Sequence, residues 1–273
     1  MEQLVGLGIS WVWMGLEGKG CQYGKVRDID TRFLVRELQD NGISVIASTI
    51  IGLEHHTPEN IDEIIEWAVS HHADFHQFML YMAPPGTPFY TQLQEQEALL
   101  DEFDMADLHG QYRFNYRHPH IKEGHETEFL LRAFERDFEV NGPSVIRMLD
   151  TLIKGWMRYK DHPEPRLRRR FALQMERMAS LNAGAVWAAN RWCKDKPELA
   201  DKIMDLLNRI YQEFGMRSRI AAPVIGQMVL YAMQRENSRL KNQSSYEPPT
   251  LYQTAAKAVH PRQRGQRACL SSC

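Results

Sequence analysis

Three short apolar segments, separated by amphipathic ones, dominate the first ninety residues. They read SWVWM, ISVIASTII and FHQFMLY, and their aromatic and β-branched residues are typical of buried strands. Between them, residues 30–42 and 57–72 carry apolar side chains at helical spacing, with Gly42 placed to end the first helix and Thr57 to begin the second. The pattern predicts a β-α-β-α-β arrangement with parallel strands.

From about Leu93 onward the pattern changes to successive helices. Each predicted helix has one apolar stripe, and Gly-Pro or Pro-rich segments separate the helices. One long helix is expected over 166–194, and Pro223 is expected near the start of the last helix. The predicted fold class is therefore α/β followed by all-α. The predicted domains are an α/β unit over 1–92, a helical domain over 93–242 and a disordered tail over 243–273.

The loops after the three predicted strands contain most of the candidate chemistry. These loops, LEGKGCQYGK, GLEHHTPEN and MAPPGTPFY, are rich in Gly, Pro and His and contain isolated carboxylates such as Glu17. Ligands of parallel α/β proteins gather at the carboxyl ends of the strands. The sequence therefore predicts a small-molecule site on that rim.

Composition excludes several classes of protein. The 273 residues contain 33 basic and 35 acidic side chains, a balance that argues against a globally basic nucleic-acid binder. No apolar segment is long enough to span a membrane and no signal peptide is recognisable, so we expect a cytoplasmic protein. Four scattered cysteines predict no disulfide framework, and Cys269 and Cys273 alone are a poor metal site. No metal site is predicted from the residues.

Taken together, the three loops resemble the radical S-adenosylmethionine (radical SAM) superfamily. WVWMGLEGK resembles its fourth-strand segment, ASTIIGLEHHTPENI its fifth and YMAPPGTPFY its sixth, in the same order and spacing. The closest group carries an N-terminal cobalamin-binding domain. The resemblance covers about residues 1–92 and implies a partial TIM-like (β/α) barrel of three parallel strands.

The resemblance also implies roles for individual residues. Glu17 matches a carboxylate that approaches the ribose and methionine parts of S-adenosylmethionine, although Gly18 stands where serine is common. The expected cofactor-binding residues on the fifth-strand segment are Ser48, Ile50 and Gly52, and Ser48 replaces a usual glycine.

The sixth-strand turn and one histidine are expected on the substrate side. Pro85, Gly86 and Thr87 match the sixth-strand turn of the family, which faces substrate. His76 alternates with its neighbours on the third predicted strand, so it either reaches substrate or is a hydrogen-bonded core histidine.

The resemblance implies cofactors that this sequence cannot hold alone. The family binds a [4Fe–4S] cluster through a C-x3-C-x2-C loop, which this sequence lacks. We therefore expect a fragment or one subunit of a split enzyme, completed by a cluster-binding half, with S-adenosylmethionine and possible cobalamin as further cofactors. Alone, the chain should perform no radical chemistry.

Two other classes of function stay open. One is a non-catalytic helical interaction module on a degenerate half barrel. The other is an unrelated α/β hydrolase or phosphate-binding enzyme, which the absence of a P-loop and of G-x-S-x-G disfavours.

Overall fold

A computed structural model describes residues 1–18 and 29–242 of the chain. The three strands form one parallel sheet in the order β1-β2-β3: Trp11–Glu17 (β1), Ser44–Ile51 (β2) and Phe75–Leu80 (β3). The α-helices are Glu2–Gly6 (α1), Thr31–Asp40 (α2), Ile61–Val69 (α3), Pro88–Glu95 (α4), His125–Asn141 (α5), Ser144–Tyr159 (α6), Pro165–Phe171 (α7), Ala179–Trp192 (α8) and Pro197–Lys241 (α9). The predicted tail and Cys21, Cys269 and Cys273 lie outside the described residues.

The ends of the first crossover helices show how the sequence sets these elements. The Asp30 carboxylate accepts a hydrogen bond from the Phe33 N–H and so caps α2, while Gly42 follows that helix at φ +71°. The start predicted for α3 is wrong by one turn, because the Asn60 side chain accepts a hydrogen bond from the Thr57 N–H and closes a separate turn.

One face of the sheet is covered by helices. Side chains alternate along each strand, and those of Val45, Ala47, Thr49 and Ile51 on β2 are buried beneath the helical layer. Helices α2, α3, α5 and α6 supply that layer. The crossover helices and the later helices therefore pack on the same side of the sheet.

The other face is left uncovered by the described residues. Trp13, Ile46 and Phe75 are register partners across the three strands and form one row of this open face. Trp13 is 64% exposed and Phe75 is 44% exposed, although aromatic side chains on a sheet usually face a core. This surface, with the even-numbered side chains of β2, is called the open face below.

The later helices depart from the prediction in two places. The single helix expected over 166–194 is interrupted by a π-helical turn, Ala172–Glu176, between α7 and α8. Gly215, at φ +69°, divides α9 into residues 197–214 and 216–241, named α9N and α9C here. Pro223 therefore lies inside α9C rather than opening a helix, eight residues after Gly215.

Buried carboxylates join the sheet to helices on the far side of residue 92. Asp74, which precedes β3, accepts hydrogen bonds from the Val45 N–H at 2.8 Å and from the Thr151 hydroxyl of α6 at 2.5 Å. Asp137 of α5 lies 3.1 Å from His76 Nδ1 of β3, and it also accepts hydrogen bonds from the Arg147 guanidinium of α6 at 2.8 and 3.2 Å. The hydrophobic cores under β1 and β3 likewise include side chains from α5, α6 and α7.

The described part of the chain contains an α/β segment followed by helices, as the sequence predicts. Its sheet has two edges, since β1 and β3 each pair with β2 alone. Within residues 1–18 and 29–242, no helix is long and apolar enough to cross a membrane.

Candidate functional site

Glu17 ends β1 in a conformation that turns its carboxylate back over the open face. The register between β1 and β2 shifts between Gly15 and Glu17, and Glu17 has φ +60°, in the left-handed region. A Cβ atom placed on Gly15 would lie 2.5 Å from the Glu17 Oε1 atom. The carboxylate therefore occupies the space that only a glycine at position 15 leaves free.

A polar row crosses the open face beneath this carboxylate. Gly15, Ser48 and Gln77 are register partners across the three strands, so their side-chain positions share one face. Ile50 and Met79 form the next row toward the carboxyl end, and the Ser48 hydroxyl lies 4.0 Å from the Met79 sulfur. Three of the four predicted cofactor-binding residues, Glu17, Ser48 and Ile50, thus lie on one surface.

Gly52, the fourth, is buried, and its backbone groups contact the loop that follows β2 and the side chain of Tyr116. The Gly52 N–H donates a hydrogen bond to His56 Nδ1 at 3.0 Å, and its carbonyl accepts one from the Tyr116 hydroxyl at 3.3 Å. Gly52 has φ +85°, and a Cβ atom there would lie 2.2 Å from the Phe114 ring. Its backbone polar groups are therefore engaged within the protein.

His56 and His118 hold the loop after β2 in place. His56 Nδ1 also accepts the Leu53 N–H, and His118 Nε2 lies 3.2 Å from the Leu53 carbonyl. His118 Nδ1 accepts two backbone N–H groups, so its Nε2 carries the proton and donates to that carbonyl. Burial and the neighbouring His55 lower the pKa of His56 to about 4, which keeps the ring neutral at pH 7. His56 and His118 therefore fix the loop after β2 through its backbone.

The turn after β3 is exposed and closed by its own hydrogen bonds. The Thr87 hydroxyl donates to the Pro84 carbonyl at 2.7 Å and accepts the Tyr90 N–H at 3.2 Å, capping α4. Pro85 and Gly86 are exposed at its tip, where Gly86 has φ +84°. The Thr87 hydroxyl is therefore engaged in capping α4, while Pro85 and Gly86 at the tip of the turn are accessible to a ligand.

His76 points away from the open face, which corrects its expected position toward substrate. Its side chain is buried among the helices, with Nδ1 3.1 Å from an Asp137 oxygen and the ring stacked on Phe78 at 4.9 Å. Burial would raise the pKa of Asp137, but the bonds from His76 and the charge of Arg147 outweigh it and lower that pKa to about 2. His76 is a hydrogen-bonded core histidine, the other interpretation that its sequence position allowed.

Two members of the open face have no counterpart among the residues predicted from sequence. Gln77 supplies an amide beside Ser48, and Gly15 makes room for the Glu17 carboxylate. The alternation of β3 fixes only that Gln77 faces opposite to His76, so Gln77 is assigned to the open face once the structure shows His76 among the helices. The bulge at Gly15 depends on the pairing of β1 with β2 and has no local sequence signal.

Among the described residues the one cysteine, Cys193, is buried and is poorly placed to ligate a metal cluster. It is buried among α8 and α9N, and burial raises the pKa of its thiol. Within residues 1–18 and 29–242 no three side chains of His, Cys, Asp or Glu come together as a metal site. These residues therefore do not fit an iron–sulfur cluster.

The open face offers a carboxylate acceptor, an amide and a hydroxyl beside an aromatic floor. A ligand with hydroxyl or ammonium groups and a flat apolar ring would find complementary contacts there. In comparisons with known proteins, no family model, curated protein or solved structure matches this chain.

Proposed function

We propose that this chain supplies part of a parallel β/α barrel of the radical SAM type, and that its open face lines the barrel interior. The single observation that carries the proposal is the uncovered sheet face with Glu17 at its carboxyl end. Parallel sheets are almost always covered on both faces, so a bare aromatic face calls for further structure over it. Two sheet edges allow further strands to pair there and complete a barrel.

The ligand that fits this face best is S-adenosylmethionine. Its ribose hydroxyls and ammonium group would donate hydrogen bonds to the Glu17 carboxylate. Ser48 and Ile50 would lie beside its adenine, because they follow Gly15 across the sheet and toward the carboxyl end. The exposed Pro85–Gly86 tip would approach the substrate from the neighbouring strand end.

The complete site would need a [4Fe–4S] cluster, which would supply the electron for reductive cleavage of S-adenosylmethionine. The cluster ligands must come from outside the described residues, from a preceding segment or a partner subunit, as would any cobalamin-binding domain. The role of this chain is then to hold the cofactor through Glu17 and to exclude water through the apolar row at Trp13 and Phe75. The reaction would be methylation, rearrangement or oxidation of a small molecule at an unreactive carbon.

The test uses the protein in the form that its own cells produce, purified without oxygen. Wild-type protein is expected to bind S-adenosylmethionine in equilibrium dialysis and to release 5′-deoxyadenosine when reduced. Glu17→Gln removes the charge of the acceptor and should weaken binding about tenfold or more, because hydrogen bonds to charged groups are the stronger ones. Gly15→Ala should have a similar effect, since its methyl group displaces the carboxylate.

Matched controls separate the site from general damage. Glu37→Gln alters a carboxylate on α2, outside the open face, and Gly6→Ala adds a methyl group with no atom within 4 Å of it. Both controls should bind like wild type. Failure of the wild-type protein to bind S-adenosylmethionine, or equal binding by all four variants, would refute the proposal.

A non-catalytic interaction module is the second candidate function. It is favoured by the exposure of apolar side chains on the open face, because such a patch also suits a protein partner. Failure of the complete native protein to bind S-adenosylmethionine, together with stable association of another chain through Trp13 and Phe75, would support this candidate.

A further inference from the structure

The outer side of α9C carries a continuous line of exposed apolar side chains. Its members are spaced four, four, four and three residues apart, and each is at least 59% exposed: Met216, Ile220, Val224, Met228 and Tyr231. At this spacing they lie along one side of an α-helix. This set is called the α9C stripe.

The inner side of α9C is fixed against α8 by small residues. Ser218, Ala222 and Gly226 are buried and recur every fourth residue on the opposite side from the stripe. A Cβ atom on Gly226 would lie 2.4 Å from the Trp187 ring and 3.0 Å from the Gly184 carbonyl oxygen. The close contact fixes the rotation of α9C, so the stripe must face outward.

Basic side chains lie at both ends of the stripe. Residues 220–234 contain no charged side chain. Arg217 precedes Val224 by seven residues and Arg235 follows Met228 by seven, so heptad spacing places both on the side of the stripe. The one acidic residue of α9C, Glu236, forms an ion pair with Arg239, which leaves the helix strongly basic at its ends.

This charge pattern opposes parallel pairing with a second copy of the chain. In a parallel pair each arginine would face its own equivalent, and like charges directly opposed at a helix interface are destabilising. In an antiparallel pair centred on the stripe, Arg217 of one copy would face Leu230 of the other, so the oligomeric state is measured below as an outcome that would overturn the proposal.

We propose that the α9C stripe binds an anionic lipid surface, with α9C lying in the plane of the headgroups. The two arginines are about 27 Å apart along the helix by the α-helical rise. Arg219, which lies over the Tyr211 ring, is the one other charged residue between them in the sequence. A continuous anionic plane satisfies both ends at once, whereas a protein partner would need two acidic sites at that separation. The apolar side chains between them would enter the acyl boundary, as in other interfacial amphipathic helices.

Co-sedimentation of the full chain with unilamellar vesicles tests this. Vesicles of mixed phosphatidylglycerol and phosphatidylcholine should pellet the protein, and phosphatidylcholine vesicles should not. Val224→Asp combined with Met228→Asp should reduce pelleting about tenfold or more, because it puts charge on the side of α9C that would enter the lipid. Arg217→Gln combined with Arg235→Gln should reduce it about tenfold through the lost attraction to anionic lipid. Added salt should weaken binding.

Matched variants place the same changes elsewhere on the surface. Val145→Asp with Met157→Asp alters two exposed apolar residues of α6, and Arg36→Gln with Arg169→Gln removes two exposed basic charges. Both should pellet like wild type, and circular dichroism should show all variants folded. No pelleting of wild type, or equal pelleting of the stripe variants, would overturn the proposal. A dimer in sedimentation velocity that Val224→Asp with Met228→Asp dissociates would also overturn it, in favour of self-association.

Discussion

At the scale of single residues, glycines decide where the site can exist. Gly15 leaves room for a carboxylate, and Gly52 brings the backbone against an aromatic ring. Neither contact follows from composition, because each depends on a partner distant in sequence or on a strand bulge. Glu17 could be found from the sequence because a carboxylate directly after an apolar strand is unusual, whereas Ser48 was named only through the family resemblance. The face of β3 on which His76 lies could not be found from the sequence, because the two faces of that strand are distinguished only by the packing of α5 against one of them.

Gly52 and Gly86 form a matched pair for testing the backbone of the rim. Both have left-handed φ angles, +85° and +84°, but only Gly52 has Phe114 against its Cα. Gly86→Ala should lower the free energy of unfolding by about 1–2 kcal/mol through backbone strain alone. Gly52→Ala should lower it by about 1–3 kcal/mol more, because the methyl group overlaps a buried ring.

Urea titrations followed by circular dichroism measure both losses. The difference between the two variants isolates the contact with Phe114 from the cost of the φ angle. Equal losses would mean that the Phe114 ring moves aside at no cost.

At the scale of secondary-structure elements, the spacing of apolar residues predicted the positions of strands and helices better than individual capping residues predicted their boundaries. All three strands and the crossover helices α2 and α3 lie where their apolar spacing placed them, apart from the start of α3, because each buries one face or stripe. Boundaries failed where a local hydrogen bond competed, as at Thr57 and Asn60. The interruption at Ala172–Glu176 also escaped prediction, because helical spacing continues across it.

Gly155 controls how closely α6 approaches the rest of the α/β layer. A Cβ atom there would lie 2.6 Å from the Gly42 Cα and 2.4 Å from the buried Phe171 ring. Since backbone cannot move aside as a side-chain tip can, Gly155→Ala should lower the free energy of unfolding by about 1–3 kcal/mol. The same measurement on Gly6→Ala should show no loss, because alanine favours helix and meets no atom there. A neutral Gly155→Ala would show that α6 can shift away from Gly42.

At the scale of the whole molecule, buried polar groups connect parts of the chain that the sequence divides. Asp74 and Asp137 bind side chains of α6, so the sheet and the later helices share their interior. The predicted boundary near residue 92 rested on the change from alternating strands and helices to successive helices. Such a change indicates the secondary structure of each part but does not indicate which parts pack together. The open face could not be foreseen, because an apolar strand looks the same whether or not it is covered.

Two buried histidines make stability depend on pH. Burial lowers the pKa of His56 and that of His71 to about 4, against 6.5 in the unfolded chain. Between these values the unfolded chain binds the extra protons, so stability is full above pH 6.5 and falls as pH decreases toward 4. Each histidine accounts for up to about 3 kcal/mol of this loss.

Urea unfolding across that pH range gives the measurement. His71→Gln should reduce the slope of the unfolding free energy against pH by the amount that corresponds to about one bound proton. An unfolding free energy that is constant from pH 6.5 to pH 4 would contradict the protonation of both histidines on unfolding.

The exposed tryptophans of β1 also make the open face optically visible. Trp13 and Trp11 stand in water, while the described tryptophans of the helices are at least half-buried. Intrinsic fluorescence at the long-wavelength edge therefore comes mainly from β1. Whatever covers the sheet, whether cofactor, further strands or another chain, must shift that emission toward the blue. A blue shift of the tryptophan emission would therefore report that the open face has become covered.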